Sequence, residues 1–129
     1  MEYDYNKAIE IDPRYADAYN NRGFAYGHKG QYEKAISDYN KAIEINPKDA
    51  EAYVNRGFAY QLKGHIDQAI SDYSKAIDIN PKDAMAYENR SFVRWRLGNI
   101  KMACSDAKRA CELGDCGGYE FLRRRGYCQ

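Results

Sequence analysis

Apolar and small residues return along this chain every three or four positions, the spacing of an α-helix with one buried face. A first stretch carries this spacing at Tyr19, Arg22, Gly23 and Tyr26. A second stretch carries it at Ala35, Ile36, Tyr39, Ala42 and Ile43. Gly30 lies between the two stretches, where a helix end favours a residue that accepts positive φ. Pro47 follows the second stretch and disfavours helix at the residue before it. The pattern predicts two antiparallel helices joined by a short turn.

This two-helix pattern recurs with a period of 34 residues. The period is marked by the prolines and by four aligned columns: Pro13, Pro47, Pro81; Tyr19, Tyr53, Tyr87; Arg22, Arg56, Arg90; Ala35, Ala69, Ala103; Ala42, Ala76, Ala110. A unit of this size cannot bury its own apolar face, so the period predicts a stacked array. Three full units fit, at 16–49, 50–83 and 84–117. Residues 1–15 match the second half of a unit and 118–129 the first half of another, a capping helix, so we expect one domain over 1–129.

The aligned columns resemble the tetratricopeptide repeat, whose pattern is W-x2-L-G-x2-Y, then A-x3-F, then P. The first unit reads Tyr19, Arg22, Gly23, Tyr26, Ala35, Tyr39, Pro47. The second reads Tyr53, Arg56, Gly57, Tyr60, Ala69, Tyr73, Pro81. The third departs from the pattern at Ser91, Arg94, Ala107 and Asp115. The resemblance implies an all-α fold, a right-handed solenoid of antiparallel helix pairs. It also implies a scaffold that binds proteins or peptides and has no chemistry of its own.

An arginine column replaces the leucine that the family pattern has on the buried stripe. A charge at such a position is costly unless it is paired. Each unit offers one aspartate partner, giving the expected pairs Arg22 with Asp38, Arg56 with Asp72 and Arg90 with Asp106. The alternative is that each guanidinium reaches water over the tyrosine rings. Either arrangement makes the column structural.

Charge and composition narrow the function classes. The net charge is +1, which argues against a nucleic-acid surface. No apolar run approaches the ~18 residues that a membrane helix needs, and the first residues lack a signal-peptide pattern. We expect no nucleic-acid and no membrane partner; the compartment is unknown, with the cytoplasm favoured. The charge is unevenly spread: residues 1–89 carry 11 Lys or Arg against 15 Asp or Glu, a net of −4, and residues 90–129 carry 9 against 4, a net of +5.

The residues that most often carry chemistry show no catalytic or metal-ligand spacing. His28 and His65 lie near turns without neighbouring ligands and are expected to be solvated. Cys104 and Cys111 occupy a buried-face column and are expected to be small buried hydrophobic residues. Cys116 and Cys128, in and beyond a glycine-rich turn, either form a disulfide bridge in an oxidising compartment or stay free; a zinc site is not expected because C-x2-C is missing. We expect no cofactor, no metal and no enzymatic activity.

The first helices of the units line the concave surface in the family that the sequence resembles. Two columns fall on their outward face: Asn21, Asn55, Asn89 and Phe24, Phe58, Phe92. Amide side chains can donate to and accept from a peptide backbone without reading its side chains, and phenylalanines add apolar contact. The columns therefore predict a peptide-binding groove. The alternative is that the asparagines hold neighbouring helices in register and the phenylalanines only pack.

Chaperone-binding members of the family grip a C-terminal carboxylate with lysine, arginine and asparagine on this surface. By resemblance, only Asn55 has a match in this chain. The other positions are filled by Asn20, Phe24, Met85 and Asn89, so no such clamp is expected.

A second function hypothesis is a self-associating structural segment, either a head-to-tail oligomer or a fragment of a longer solenoid. The N-terminal half-unit carries an apolar stripe without its partner helix: Tyr5, Ala8, Ile9 and Ile11. The C-terminal half-unit carries Phe121 and Leu122, and the charge split would draw the two together.

Overall fold

The chain folds as a row of helical hairpins. The computed structural model describes residues 2–129, with side chains from residue 4 onward. Within that range lie eight helices and no strand: α1 Glu2–Ile11, α2 Ala16–His28, α3 Tyr32–Ile45, α4 Ala50–Leu62, α5 Ile66–Ile79, α6 Ala84–Arg96, α7 Ile100–Glu112 and α8 Gly117–Arg124. The hairpins are α2/α3, α4/α5 and α6/α7, while α1 packs on α2 and α8 on α7. The prediction of an all-α solenoid of helical hairpins is confirmed.

Turn chemistry sets the helix limits. Gly30, Gly64 and Gly98 adopt φ of 76°, 86° and 85° at the turns inside the hairpins, a conformation that favours glycine. Between hairpins, the side chains of Asp49 and Asp83 each accept a hydrogen bond of 3.2 Å from the third backbone N–H after them. These caps fix the first turns of α4 and α6. None of the helices in the described range is long and apolar enough to cross a membrane.

In the first two hairpins, the two helices pack closely because a glycine on the first helix faces a tyrosine on the second. A Cβ added to Gly57 would stand 2.8 Å from Cε1 of Tyr73, which is fully buried, and Gly23 meets Tyr39 in the same way. The third hairpin solves the packing differently. There Ser91 replaces the glycine and Ala107 replaces the tyrosine, so the smaller facing side chain leaves room for the serine. The departures of the third unit from the family pattern are therefore compensated in pairs.

The cysteines are not placed as the sequence indicated. Cys104 bonds to Cys128, and Cys111 bonds to Cys116. The expectation that Cys104 and Cys111 are simple buried hydrophobic residues is wrong. Cys116 and Cys128 are not free thiols: each forms a disulfide, although not with the other. The physical reason is the path of the C-terminal segment. The α7–α8 turn brings Cys111 and Cys116 together, and the tail after α8 then folds back across α7 to Cys104.

Helix α8 packs on α7 through a buried apolar side chain. Leu122 is 2 % exposed and packs in one cluster with Ala103 and Ala107. Leu122 is therefore unavailable as an exposed contact at this end of the molecule, although Phe121 beside it is 39 % exposed. With the two disulfides, this packing makes the α7–α8 region a closed C-terminal layer.

Candidate peptide-binding groove

The arginine column forms paired hydrogen bonds inside each hairpin. Nε and Nη2 of Arg56 both donate to the carboxylate of Asp72, each at 2.8 Å. Arg22 and Arg90 bind Asp38 and Asp106 in the same forked geometry. The hydrogen bond to Asp72 raises the pKa of Arg56 above its usual value, although burial opposes the shift. Each pair therefore links the first helix of a hairpin to the second by two charge-assisted hydrogen bonds.

The guanidinium groups also stack on tyrosine rings. The guanidinium carbon of Arg56 lies 5.4 Å from the ring centroid of Tyr53 and 5.8 Å from that of Tyr60. Its side chain is 20 % exposed, whereas that of Asp72 is 6 % exposed. Pairing and ring stacking therefore coexist, and the sequence-based alternatives do not exclude each other.

A third contact of the arginines joins neighbouring units and was missed from the sequence. Nη1 of Arg56 donates to Oδ1 of Asn40 in the preceding unit at 2.9 Å. The equivalent acceptors are Asn6 for Arg22 and the hydroxyl of Ser74 for Arg90. These acceptors stand 34 residues apart, so the repeat alignment contained the signal as a column of small polar residues. The column explains how a small unit is held to the next.

The first helices of the hairpins form the inner face of the array. Among the described residues, α2 contacts α4, α4 contacts α6, and α6 contacts α8. No such contact is present between α3 and α5 or between α5 and α7 in the same part of the chain. Closer spacing on one side means that the row bends, with the first helices on the inside. The groove named here is this inner surface of α2, α4 and α6.

The phenylalanine column is exposed on the groove. Phe24, Phe58 and Phe92 are 53 %, 46 % and 45 % exposed. A cavity of about 200 Å³ separates Phe24 and Phe58, with Tyr39 and Leu62 in its walls. A second cavity of about 520 Å³ lies between α4 and α6, next to Phe92. Large aromatic side chains beside apolar hollows form a surface to which apolar ligand groups can bind.

The asparagine column lies beside the phenylalanines. Asn21 is exposed, Asn55 and Asn89 are half-buried, and Asn55 lines the cavity between Phe24 and Phe58. No hydrogen bond joins these three amides to the other described side chains. Their donors and acceptors are therefore available to a ligand.

The positions compared with the chaperone clamp are occupied otherwise. The side chain of Asn20 is buried and donates to Asp49 at 2.6 Å, which ties α2 to the cap of α4. Met85 is 60 % exposed and apolar. His28 and His65 are both exposed and lie against the rings of Phe24 and Tyr60. Within the described residues, no three His, Cys, Asp or Glu side chains come together as a metal site.

The repeat family is identified by comparison with family models. A model described as TPR repeat matches residues 28–64. Two models described as tetratricopeptide repeat match residues 4–37 and 50–83. The chain is a tetratricopeptide repeat protein. The matches start within α1 and cover the first two hairpins, whose columns follow the pattern most closely. No match was found among curated protein sequences.

Solved structures of other tetratricopeptide repeat (TPR) domains are similar over most of this TPR protein. The first TPR of Spaghetti (RPAP3), bound to the HSP90 peptide SRMEEVD, is 27 % identical with a TM-score of 0.80, covering 86 % of this chain and 90 % of that one. The Arabidopsis OM64 TPR domain is 28 % identical with a TM-score of 0.80, covering 85 % and 92 %. YrrB, described as a TPR protein with an unusual peptide-binding site, is 27 % identical with a TM-score of 0.79, covering 85 % and 57 %.

Proposed function

We propose that this TPR protein is an interaction scaffold that holds an extended segment of another protein along the groove of α2, α4 and α6. The observation that carries the proposal is the row of half-exposed rings at Phe24, Phe58 and Phe92, with one cavity between the first two rings and another beside Phe92. Apolar side chains of the ligand would enter these cavities. Two similar structures are described by a bound peptide or a peptide-binding site, which supports a ligand of this class.

The asparagine column supplies the second half of the recognition. Asn21, Asn55 and Asn89 recur once per hairpin, so their amides can bond backbone groups of a ligand at regular intervals. Backbone bonding gives affinity without demanding a sequence, whereas the cavities select apolar side chains. The ligand class is therefore an extended segment with spaced apolar residues.

The ligand is not held by a terminal-carboxylate clamp. Asn20 is committed to Asp49, and Phe24 and Met85 offer no charge at the remaining positions. A carboxylate held there would lack the cationic partners that such a group requires. We therefore expect an internal segment to bind as well as one that ends in a free carboxylate.

Alanine substitution in the two columns tests the proposal. A peptide selected from a random extended library is titrated into the wild type and into Phe58→Ala and Asn55→Ala. Each substitution should weaken binding at least about tenfold, because each removes a contact with the ligand. The melting temperature should change little, since both side chains face the groove and not the core.

Two results would oppose the proposal. If both variants unfold readily, the columns are packing elements. If both stay folded and bind the peptide like the wild type, the ligand lies elsewhere. Replacing the exposed Met102 on α7 with alanine gives a matched control, because it removes an exposed apolar side chain outside the groove.

Self-association is a second candidate function. Within the described residues α1 packs on α2 alone, and Ile11 is 76 % exposed. Phe121 and Tyr127 are partly exposed at the opposite, basic end. Contacts between unlike surfaces generate rings or fibres, depending on geometry. Light scattering over protein concentration and salt is the test: salt-sensitive oligomers abolished by Ile9→Lys support it, and a monomer at high concentration and low salt rejects it.

A further inference from the structure

A cavity of about 280 Å³ lies between α6 and α8, where the groove meets the C-terminal layer. Its walls include the rings of Phe92, Trp95 and Phe121. The Trp95 and Phe121 ring centroids are 5.2 Å apart with planes at 87°, and those of Phe92 and Trp95 are 5.9 Å apart. The rings therefore surround the space from different directions. This cavity is named the α6–α8 pocket.

The carboxylate of Glu88 belongs to the same pocket. Its Oε2 accepts a hydrogen bond of 3.0 Å from the backbone N–H of Gly118. Its Oε1 is buried and has no hydrogen-bond partner among the described residues. Burial raises the pKa of Glu88, and the nearby carboxyl group of Asp115 adds to the shift. A buried carboxylate oxygen without a donor is unfavourable, so this atom favours a ligand that donates a hydrogen bond and carries positive charge.

We propose that the α6–α8 pocket binds the ammonium group of a lysine side chain in the protein segment that occupies the groove. The proposal deepens the proposed function and rests on it for the origin of the lysine. Because Oε1 of Glu88 is fully buried, a rotation of the Glu88 side chain brings it to the pocket, where the ammonium group donates to it. The methylene chain lies against Phe92 and Phe121. Aromatic rings around a cation add electrostatic attraction from their faces. A lysine side chain thus matches the pocket in two ways: its charge complements Glu88, and its methylene chain packs on the apolar rings.

The hydrogen bonding of Glu88 distinguishes lysine from arginine. A guanidinium binds a carboxylate best through two parallel hydrogen bonds, one to each oxygen. Gly118 already occupies Oε2, which leaves a single oxygen for the ligand. An ammonium group is a compact donor that needs only one acceptor at this point. Lysine is therefore preferred to arginine.

Two arginines near the pocket oppose a cation and limit the affinity. The guanidinium carbon of Arg96 lies 5.9 Å from the centroid of Phe92, and that of Arg125 lies 4.4 Å from the centroid of Phe121. Both line neighbouring cavities instead of this pocket. The arginines repel a bound cation from the outer side of the rings, whereas Glu88 attracts it from the lining of the pocket. An isolated lysine is therefore expected to bind weakly, with a Kd of about 1 mM.

Glu88 also has a structural role that the test must separate from binding. It supplies the acceptor for an N–H in the first turn of α8, whose N-cap residue Cys116 forms no side-chain cap. Glu88→Gln keeps an oxygen for Gly118 and removes the charge. Its amide nitrogen donates instead of accepting at the site of Oε1, so the variant loses the attraction for a cation while it can still cap α8.

Tryptophan fluorescence gives a direct readout, because Trp95 is the single tryptophan of the chain. The probe is the blocked pentapeptide Gly-Ser-Lys-Ser-Gly, compared with peptides in which lysine is replaced by Nε-acetyl-lysine, norleucine or arginine. The lysine peptide should give a saturable change, and the other three a change at least about fivefold weaker in affinity. Glu88→Gln should weaken lysine binding roughly tenfold. Glu120→Gln is the matched control, since it removes an exposed carboxylate from α8, and should leave binding unchanged.

A second variant keeps the test decisive if Glu88→Gln is unstable. Phe121→Leu retains an apolar wall but removes one ring face, and should weaken lysine binding more than norleucine binding. Equal affinity for the lysine and norleucine peptides, or unchanged lysine binding in a folded Glu88→Gln, would overturn the pocket assignment. The groove is judged separately, by the effect of Phe58→Ala on the longer selected peptide. A lysine pocket without groove binding, or the reverse, is therefore distinguishable.

Discussion

Replacing Arg56 with alanine removes the group that links α4 to α5 and to the preceding unit. Asp72 then keeps a carboxylate that is 6 % exposed and has lost both hydrogen bonds from the guanidinium. Breaking a buried pair in this way costs about 3–5 kcal/mol, and the bond to Asn40 adds about 1 kcal/mol. Because Arg56 is itself 20 % exposed, the lower part of the range applies. We expect a loss of about 3 kcal/mol in the free energy of unfolding.

Urea unfolding followed by circular dichroism measures this loss against two references. Arg109→Ala breaks an exposed pair in which Arg109 and Glu112 are 43 % and 54 % exposed. That control should cost less than about 1 kcal/mol. Arg56→Leu combined with Asp72→Asn removes both charges and should recover much of the stability lost by Arg56→Ala.

A loss below about 0.5 kcal/mol for Arg56→Ala would contradict a buried pair between Arg56 and Asp72, because it would place the arginine among ordinary surface charges. The same conclusion would follow if Arg109→Ala were equally destabilising. If the double variant Arg56→Leu/Asp72→Asn were no more stable than Arg56→Ala, the arginine would stabilise the fold through its methylene chain or its stacking on the tyrosine rings and not through Asp72.

Three further predictions follow from single contacts. Gly57→Ala should cost about 1–3 kcal/mol in urea unfolding, since its Cβ would stand 2.8 Å from Tyr73, whereas Gly27→Ala, with open space around the new Cβ, should be neutral or stabilising. Reducing the disulfides should lower the free energy of unfolding by about 3 kcal/mol, because the Cys104–Cys128 bond closes a loop in the unfolded chain. Amide hydrogen exchange in α8 should then accelerate, and unchanged exchange would show that the disulfides do not hold α8 in place. The pKa of Glu88 is raised in the folded state, so folding favours the protonated carboxyl group. This group therefore stabilises the fold fully below the unfolded pKa of about 4.3, and the stabilisation is lost as pH rises through the folded pKa. Glu88→Gln should therefore be more stable than the wild type at pH 7, with the difference shrinking toward acid pH in a thermal melt.

The periodic features of this molecule could be predicted from the sequence because each is repeated. The helix pairs, the glycines at positive φ and the Arg56–Asp72 type of pair all recur at 34 residues. Three copies of one spacing carry the same physical requirement, so a single chain serves as its own alignment. The acceptors Asn40 and Ser74 were equally periodic but were not recognised, since small polar residues on a helix surface indicate no partner by themselves.

The other features that the sequence did not indicate lie in the C-terminal layer or in contact with it. The disulfide partners depend on the path of the tail over α7, which no spacing between cysteines specifies. The α6–α8 pocket depends on Glu88 reaching Gly118, a contact with no counterpart in the earlier units. There Asn20 and Val54 hold the equivalent positions. Features that occur once need the three-dimensional arrangement to become visible.

The most direct test of the groove is to map a bound peptide residue by residue. A library-selected peptide is added to isotope-labelled protein, and backbone amide chemical shifts are followed to saturation. We predict that the largest shifts cluster on the inner face, around Asn21, Asn55, Phe58 and Phe92, in α2, α4 and α6. Shifts confined to α3, α5 and α7, with the inner face unchanged at saturation, would contradict it.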